Sequence, residues 1–269
     1  MPRLAVIGFP VGHSRSPAMQ SAALAELGLA EEWSYGAVEV APEGFEARVR
    51  EMAAGEYAGA NVTVPHKEAA LAVADEASEA ARAIGAANTL TFSAGRIHAD
   101  NTDAGGLLAA LPTTPLDARA LVLGAGGAAR AVIWALVGEG ARVGEGARVE
   151  VWNRTAARAA KLCAELGGKP VAAPSQTEYD LIVNTTSVGL RGENPFAELP
   201  LSADSFAPGQ LVVDMVYGDG AGPLLDAAAA AGATTIDGLE ILVQQGALSL
   251  ALWTGRDAPI ETMRAAARR

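Results

Sequence analysis

Apolar runs of strand length alternate with helical patterns along most of the 269 residues, and this alternation predicts an α/β fold with mostly parallel sheets. A second observation divides that fold in two. The chain is long enough for two medium domains, and a second strand–helix series starts after the polar segment Asn101-Thr102-Asp103. The third observation lies within this second series. Leu121-Val122-Leu123 runs into Gly124-Ala125-Gly126-Gly127-Ala128-Ala129-Arg130, and an alanine-rich helical pattern continues to about Val137. Strand, glycine turn and helix in that order are the context that a dinucleotide fingerprint requires. The expected organisation is an N-terminal α/β domain over 1–102, joined by 239–269, and a Rossmann-like domain over 103–238.

In the first domain, Leu4 to Phe9 reads as a buried strand and Gly8 to Pro17 as a loop. Pro17 suits the first position of a helix that runs to about Leu27 and stops at Gly28. A strand from Trp33 to Val40, a helix from Phe45 to Ala53 and a strand from Gly59 follow, the last ended by Pro65. Lys67 opens a helix to about Ala74, and a further helix spans Ser78 to Ala83. Asn88 to Phe92 and Arg96 to Ala99 flank Ser93-Ala94-Gly95 as a hairpin with a three-residue loop. A helix from Ala104 to Leu111 begins the second domain, with strands expected at 121–123, 149–152, 180–184 and 211–215. A helix from Pro223 to Ala231 and a strand at Thr234-Thr235-Ile236 come next. Leu239 to Trp253 is a long apolar helical pattern whose face needs a partner, and it is expected to return to the first domain.

Within the fingerprint, Gly124 permits a tight turn and Gly126, lacking Cβ, lets a pyrophosphate approach the backbone. Ala129 fills the third small position, where helix lies close to strand, and the unpaired amides at the helix start suit an anion. The plain alternative is a tight βα turn of any α/β protein. The next strand, Val149 to Trp152, ends in Asn153-Arg154-Thr155, with Arg158 one helical turn on. An NAD site places an acidic residue here for the ribose 2′-hydroxyl. Arg154 and Arg158 instead offer guanidinium groups that can hold a 2′-phosphate through paired hydrogen bonds. A cation at a helix N-terminus opposes the dipole, so an anionic partner accounts for these arginines better than simple solvation does. The pattern favours NADP over NAD.

Composition narrows the class. Half the residues are hydrophobic, yet no apolar stretch reaches about 18 residues free of charge or turn signals, so no membrane span is expected. The N-terminal segment is strand-like at Leu4-Ala5-Val6-Ile7 without a signal-peptide pattern, and Cys163 is the only cysteine, so a cytoplasmic enzyme without an intramolecular disulfide is expected. Cys163 itself reads as a small buried apolar residue. A net charge of −11 and a pI near 4.8 argue against nucleic-acid binding while leaving room for a local basic pocket. His13, His66 and His98 are far apart in sequence and form no metal motif with the lone cysteine, so no metal is expected. One or two copies of the chain are the expected assembly.

Polar clusters fall at element ends in the first half: Ser14 and Ser16; Asn61, Thr63 and Lys67; Asn88; and Asn101-Thr102-Asp103. Each has an ordinary structural account. Ser14 and Ser16 serve as turn and N-cap residues, Asn61 and Thr63 share a solvated strand face, Lys67 is a surface lysine and Asp103 caps the next helix. Taken in order with the second half, they form a pattern. G-x-P-x-x-H-S-x-S-P stands at Gly8 to Pro17, N-V-T-x-P-x-K at Asn61 to Lys67, G-A-x-N-T at Gly85 to Thr89 and N-T-D at Asn101 to Asp103. G-A-G-G-A follows at 124–128, N-R-T-x-x-R at 153–158, N-T-T-S-V-G at 184–189 and D-M-V-Y at 214–217. P-L-L stands at 223–225 and G-L-x-x-L-V-x-Q-G at 238–246. Over nearly its whole length the chain resembles the shikimate dehydrogenases.

The resemblance implies reduction of 3-dehydroshikimate to shikimate with NADPH. It implies that Lys67 and Asp103 are the catalytic pair, and that Ser14 and Ser16 bind the substrate carboxylate with Tyr217. Asn61, Thr63, Asn88, Asp103 and Gln245 are implied to hold ring hydroxyls. On the cofactor side it implies Gly124, Ala125, Gly126, Gly127, Ala128, Asn153, Arg154, Thr155, Arg158 and Thr186, with Met215 and Gly238 beside the nicotinamide. The residue types suit the chemistry independently. Hydride addition to a ketone develops negative charge on oxygen, and an ammonium stabilises it, either as proton donor or as electrostatic clamp. A polyhydroxylated acid removed from water needs many hydroxyl and amide partners. His66 adjoins Lys67 at a helix start, where neighbours point apart, and His13 reads as structural. Where the family has proline and threonine after Tyr217, this chain has Gly218-Asp219-Gly220-Ala221-Gly222, which is expected to loosen that loop. The rival readings are a quinate/shikimate dehydrogenase using NAD and a catalytically silent NADP-binding module.

Residues 138–143 and 144–149 are the same hexapeptide, GEGARV, twice over. A short tandem duplication is the simplest origin. Val149 must stay in phase with Val151 for the strand to bury one face, so the second copy carries the strand and the first ends the preceding helix at Gly138 or Gly140. The surplus, around Ala141 to Gly146, is expected to loop out, at a loop-closure cost of about 1 kcal/mol or less. Deleting one copy is therefore expected to leave NADP affinity, measured by titration, nearly unchanged; a large change would mean that both copies shape the cofactor turn.

Overall fold

The computed structural model describes residues 2–112, 118–138, 148–218, 220 and 222–269. The chain divides into two compact units: the residues up to Gly106 together with Leu242–Arg269, and Leu107–Ile241.

The first unit contains β1 (Arg3–Gly8), α1 (Ser16–Glu26), β2 (Ser34–Glu39), α2 (Phe45–Ala54) and β3 (Tyr57–Val62). It continues with α3 (Lys67–Val73), β4 (Glu76–Ala77), α4 (Glu79–Ile84), β5 (Thr89–Ser93) and β6 (Arg96–Asp100). Its sheet runs β2-β1-β3-β5-β6-β4. β1 is parallel to β2 and β3, whereas the β5–β6 hairpin is antiparallel within itself and to β3. The core under the sheet is built from Phe45, Val49 and Met52 of α2 against Ile7, Ala60, Val62 and Leu90.

Several boundaries differ from the sequence expectation for local reasons. α1 starts at Ser16, so Pro17 is its second residue; Gly28 takes φ +70 just past the end, the left-handed stop expected of it. β3 ends at Val62 rather than at Pro65, because Thr63 already begins a turn, its carbonyl accepting the His66 amide at 3.0 Å, and Pro65 has no amide to give to a ladder. β4 has only two residues, too few to show a period.

Two helices have one end in each unit: α5 (Asp103–Ala110) and α10 (Gly238–Thr254). The C-terminal part of α10 is tied into the first unit. Gln20 Nε2 donates to the Gly246 carbonyl at 3.0 Å, and Trp253 Nε1 donates to the Leu90 carbonyl at 3.1 Å. The last helix, α11 (Ile260–Ala267), packs on α1 and lies beyond the reach of the patterns read from the sequence.

The second unit carries β7 (Arg119–Leu123), α6 (Gly127–Val137), β8 (Arg148–Trp152), α7 (Ala156–Leu166) and β9 (Lys169–Pro170). It then adds β10 (Leu181–Asn184), α8 (Pro195–Glu198), β11 (Leu211–Asp214), α9 (Gly222–Ala230) and β12 (Thr234–Ile236). The sheet order is β12-β11-β10-β7-β8-β9, with every described pairing parallel. Numbered within the unit, this is the doubly wound 3-2-1-4-5-6 order, which reverses between β7 and β10 and leaves a crevice at the strands' carboxyl ends. Cys163 is buried on α7, and burial pushes its thiol pKa up. Gly138 ends α6, donating its amide to the Trp134 carbonyl at 3.0 Å. Val149 and Val151 of β8 are both buried, so the second hexapeptide supplies the strand in phase. Ala141 to Gly146 lie outside the described residues. Among the described residues, no helix is long and apolar enough to cross a membrane.

At Gly59 the Trp253 side chain of α10 lies close against the first sheet. A Cβ there would lie 2.2 Å from Trp253 Nε1 and 2.6 Å from the Leu90 carbonyl oxygen. Gly59→Ala is expected to lower the unfolding free energy by about 1–3 kcal/mol. Gly36→Ala, where a Cβ meets nothing within 4 Å, is expected to change it by less than about 0.5 kcal/mol. Urea denaturation followed by circular dichroism distinguishes the two.

Candidate active site

Lys67 is the first residue of α3, and its position follows from the residue before it. His66 is 2% exposed, stacks on Phe45 with ring centroids 4.5 Å apart, and places Nε2 at 2.7 Å from the Val40 carbonyl. Burial lowers the His66 pKa against the opposing pull of that carbonyl. The neutral ring is thus an anchor for the helix start. From there Lys67 Nζ reaches Asp103 Oδ2 at 2.7 Å, with side-chain exposures of only 12% and 6%.

Asp103 opens α5 but does not cap it. The Asn101 side-chain oxygen accepts the amides of Asp103 at 3.1 Å and Ala104 at 3.3 Å. Relieved of the capping role, the carboxylate faces other partners: Oδ2 takes Lys67 and Oδ1 takes Asn88 Nδ2 at 2.9 Å. Asn88 is the hub of the cluster. Its Nδ2 also lies 3.0 Å from Thr102 Oγ1 and 3.1 Å from Gln245 Oε1, while its Oδ1 accepts the Thr102 amide at 2.7 Å. Gln245 arrives on α10 because Gly106 lets the helices meet; a Cβ on Gly106 would lie 2.7 Å from the Gln245 Cβ. Gln245 Nε2 donates to the Leu242 carbonyl at 2.8 Å.

Asn61 is 5% exposed and belongs to this buried network rather than to a solvated strand face. Its Oδ1 accepts the Tyr35 hydroxyl at 2.7 Å, and its Nδ2 lies 3.4 Å from the Asn88 carbonyl and from Thr89 Oγ1. Thr63, just beyond β3, is half-buried; its amide donates to the Ile7 carbonyl at 2.8 Å and its methyl fills the space over Gly8. Phe9 donates its amide to the Val64 carbonyl at 3.0 Å, which stitches the serine loop to this segment. Within the loop, Ser14 Oγ accepts the Ser16 amide at 3.2 Å. Arg15, not Ser16, holds the N-cap position of α1, and Ser16 is buried while His13 is exposed.

In the second unit, the fingerprint stands at the carboxyl end of β7. Gly124 has φ +118, and a Cβ there would lie 2.5 Å from Thr185 Oγ1. Gly126 faces open space, with nothing within 4 Å of an added Cβ, and Gly127 and Ala128 begin α6. Ala129 is fully buried against the sheet. A backbone bare at Gly126, at the start of an eleven-residue helix, fits a pyrophosphate. Asn153 Nδ2 donates to the Thr155 carbonyl at 3.0 Å, and Thr155 is the N-cap of α7. Arg154 and Arg158 are exposed beside it; Arg154 lies 3.8 Å from Glu198, a contact that solvent screens heavily. Asn184, at the end of β10, accepts the Thr186 hydroxyl at 2.7 Å and donates to Asp214 Oδ1 at 2.9 Å. Gly238 packs on the backbone of Met215, where a Cβ would lie 2.6 Å from its carbonyl oxygen. Tyr217 follows β11 in the same unit and is half-buried; Asp219 and Ala221 of its glycine-rich loop lie outside the described residues.

Three family descriptions match the chain in order: "Shikimate dehydrogenase substrate binding domain" over residues 6–90, "Shikimate / quinate 5-dehydrogenase" over 109–189 and "Shikimate 5'-dehydrogenase C-terminal domain" over 238–268. A protein of Methanopyrus kandleri named shikimate dehydrogenase (NADP(+)) is 42% identical over 97% of this chain and 93% of its own. The chain belongs to the shikimate dehydrogenase family. A Brucella abortus shikimate dehydrogenase (NADP(+)) is 43% identical over 93% of this chain and 88% of its own. Among solved structures, the shikimate 5-dehydrogenase of Thermus thermophilus in complex with NADP(H) and shikimate superposes with a TM-score of 0.88, at 43% identity, covering 100% of this chain and 99% of the other.

Sequence patterns single out Lys67, Asn88, Asp103 and Gln245, and the fold joins all four in one network. They miss Tyr35, an ordinary strand aromatic until its hydroxyl is seen on Asn61. Thr89 and Thr102, although inside the quoted motifs, have no part assigned by pattern; each hydroxyl contacts the Asn88 side chain. Asn88→Ala strips a partner from Thr102, Asp103 and Gln245 and is expected to cost about 2–3 kcal/mol of stability. Asn88→Asp sets a second carboxylate against Asp103, so its destabilisation is expected to be larger at pH 8 than at pH 5, where protonation relieves the repulsion. Urea midpoints at the two pH values check both.

Proposed function

We propose that this chain is an NADP-dependent oxidoreductase that reduces 3-dehydroshikimate to shikimate, in the route to chorismate and the aromatic amino acids. One observation carries the reading: a buried ammonium and carboxylate, Lys67 and Asp103, joined at 2.7 Å inside a network of amide and hydroxyl groups. The cofactor, when bound, supplies the hydride that adds to the ketone carbon. Everything else falls to the protein.

Lys67 Nζ has three hydrogens and spends one on Asp103, leaving two for the oxygen on which negative charge develops. It holds the proton that this oxygen takes in becoming a hydroxyl. Each Asp103 oxygen has a lone pair left after binding Lys67 and Asn88, so the carboxylate can accept a substrate hydroxyl while it orients the ammonium. Asn61, Thr63, Asn88 and Gln245 supply polar contacts to the ring hydroxyls, and Ser14, Ser16 and Tyr217 bind the carboxylate. Gly124, Ala125, Gly126, Gly127 and Ala128 cradle the pyrophosphate. Asn153, Arg154, Thr155 and Arg158 surround the 2′-phosphate, and Thr186, Met215 and Gly238 form the nicotinamide end. Residues 1–102 with 239–269 act as the substrate domain and 103–238 as the cofactor domain, in a cytoplasmic enzyme of one or two copies.

The direct test is absorbance at the reduced-nicotinamide band with shikimate and NADP; no NADP-linked oxidation would revive the silent-module reading. Lys67→Ala is expected to lower kcat at least a hundredfold with a much smaller change in KM, because its charge matters most as charge develops on oxygen. Near-normal kcat with lost affinity would remove Lys67 from the chemistry. Asp103→Ala is expected to damage both constants. Neutralising Arg154 and Arg158 together is expected to weaken NADP strongly and NAD little, as read by equilibrium titration; equal losses would place the arginines' role elsewhere.

A further inference from the structure

We propose that the buried carboxylate of Asp214 sets the redox preference of the cofactor site, favouring the cationic oxidised nicotinamide over the neutral reduced one. The inference rests on the cofactor reading above, in which Met215 borders the nicotinamide, and it assigns a part to a residue that the reaction does not otherwise use.

Asp214 ends β11 and is 6% exposed. Its Oδ1 accepts the Asn184 side-chain amide at 2.9 Å and the Val216 backbone amide at 3.0 Å. A bond from a carboxylate to the amide two residues on folds the side chain back over the intervening peptide, here that of Met215. The charge is therefore held against the backbone segment assigned to the nicotinamide end. Asn184 and Asp214 are also register partners at the carboxyl ends of β10 and β11, next to the point where the strand order reverses. Ligands of doubly wound sheets sit at such carboxyl ends.

Among the described residues, the groups that act on this carboxylate are neutral. Burial raises its pKa to about 6, and the Val216 and Asn184 amides oppose that shift. Among the described residues no cation contributes to it, and the nearby acids Asp237 and Glu240 flank the start of α10, where Gly238 packs on Met215. An ionised carboxylate without a cationic partner is costly in this setting. A nicotinamide cation would supply that partner and a reduced ring would not. Oxidised cofactor should then hold Asp214 ionised and lower its pKa, whereas reduced cofactor should not.

Acid protonates Asp214 and removes the attraction for the oxidised ring, so the ratio of Kd for NADP to Kd for NADPH should rise as pH falls through about 6. The 2′-phosphate also titrates in this range, but both forms carry it, so its effect cancels in the ratio. If the cation lowers the Asp214 pKa by about one unit, the ratio rises about fivefold between pH 7.5 and pH 5. Asp214→Asn keeps an oxygen for the Asn184 and Val216 amides and removes only the charge. It should shift the ratio about tenfold toward the reduced cofactor at pH 7.5 and flatten its pH dependence.

The experiment is calorimetric titration of the whole chain and of Asp214→Asn with NADP and with NADPH at pH 5, 6 and 7.5. A rising ratio in the natural chain, flattened in the variant, supports the proposal. A ratio that stays flat with pH in the natural chain overturns it even if the variant fails to fold, as does a variant whose ratio matches the natural chain's at pH 7.5. Binding of neither nucleotide overturns the cofactor reading itself, and that outcome is distinct from two measurable affinities with an unresponsive ratio.

Discussion

Asn88 holds the first unit's chemistry together with a neutral group. Its amide oxygen takes the Thr102 backbone, and its amide nitrogen faces Thr102, Asp103 and Gln245. Those partners come from the start of α5 and the middle of α10, so one side chain registers three segments that are distant in sequence. An amide suits this task because it donates and accepts from one rigid plane. A charged group at the same position would need its own counter-ion. The arrangement also accounts for a carboxyl group whose side chain is only 6% exposed. A buried carboxylate is tolerated when its lone pairs are hydrogen-bonded and a cation is near, and Asn88 and Lys67 meet those conditions together.

Lys67 depends in turn on groups that never touch the cluster. The stacking of His66 on Phe45 and its bond to the Val40 carbonyl fix where α3 begins. A flexible lysine gains precision when its backbone is held from below in this way. The same division of labour recurs at Asn61, whose amide oxygen is claimed by Tyr35. The Asn88 backbone carbonyl can only accept, so it takes the Asn61 Nδ2 side and leaves Oδ1 for the Tyr35 hydroxyl.

The second unit solves a different problem, keeping a crevice open at the ends of three neighbouring strands. Thr185 Oγ1 donates to the Leu123 carbonyl at 2.7 Å, and Asn184 bridges to Asp214. These bonds hold the ends of β7, β10 and β11 together while Gly124 occupies a conformation and a space that a larger residue could not. The turn after β7 is thereby narrow behind and bare in front at Gly126.

The α/β class, most strands and helices, the glycine turn and the ordered motifs were legible in the sequence, because periodicity and turn chemistry are local properties. So was the phase of β8 after the repeated hexapeptide, since alternation alone forces Val149 and Val151 to one side. The two-residue strands β4 and β9 were not, being shorter than any period. Nor could sequence decide what each polar residue bonds to. By its sequence position Asp103 was equally suited to cap α5, and only the fold shows Asn101 doing so and the carboxylate released to Lys67 and Asn88. Tyr35 on Asn61, Gln245 on Asn88 and Asp214 on Asn184 join residues 26, 157 and 30 positions apart. Spacings of that kind carry no period, because partners brought together by sheet order and helix packing are chosen by the whole tertiary structure.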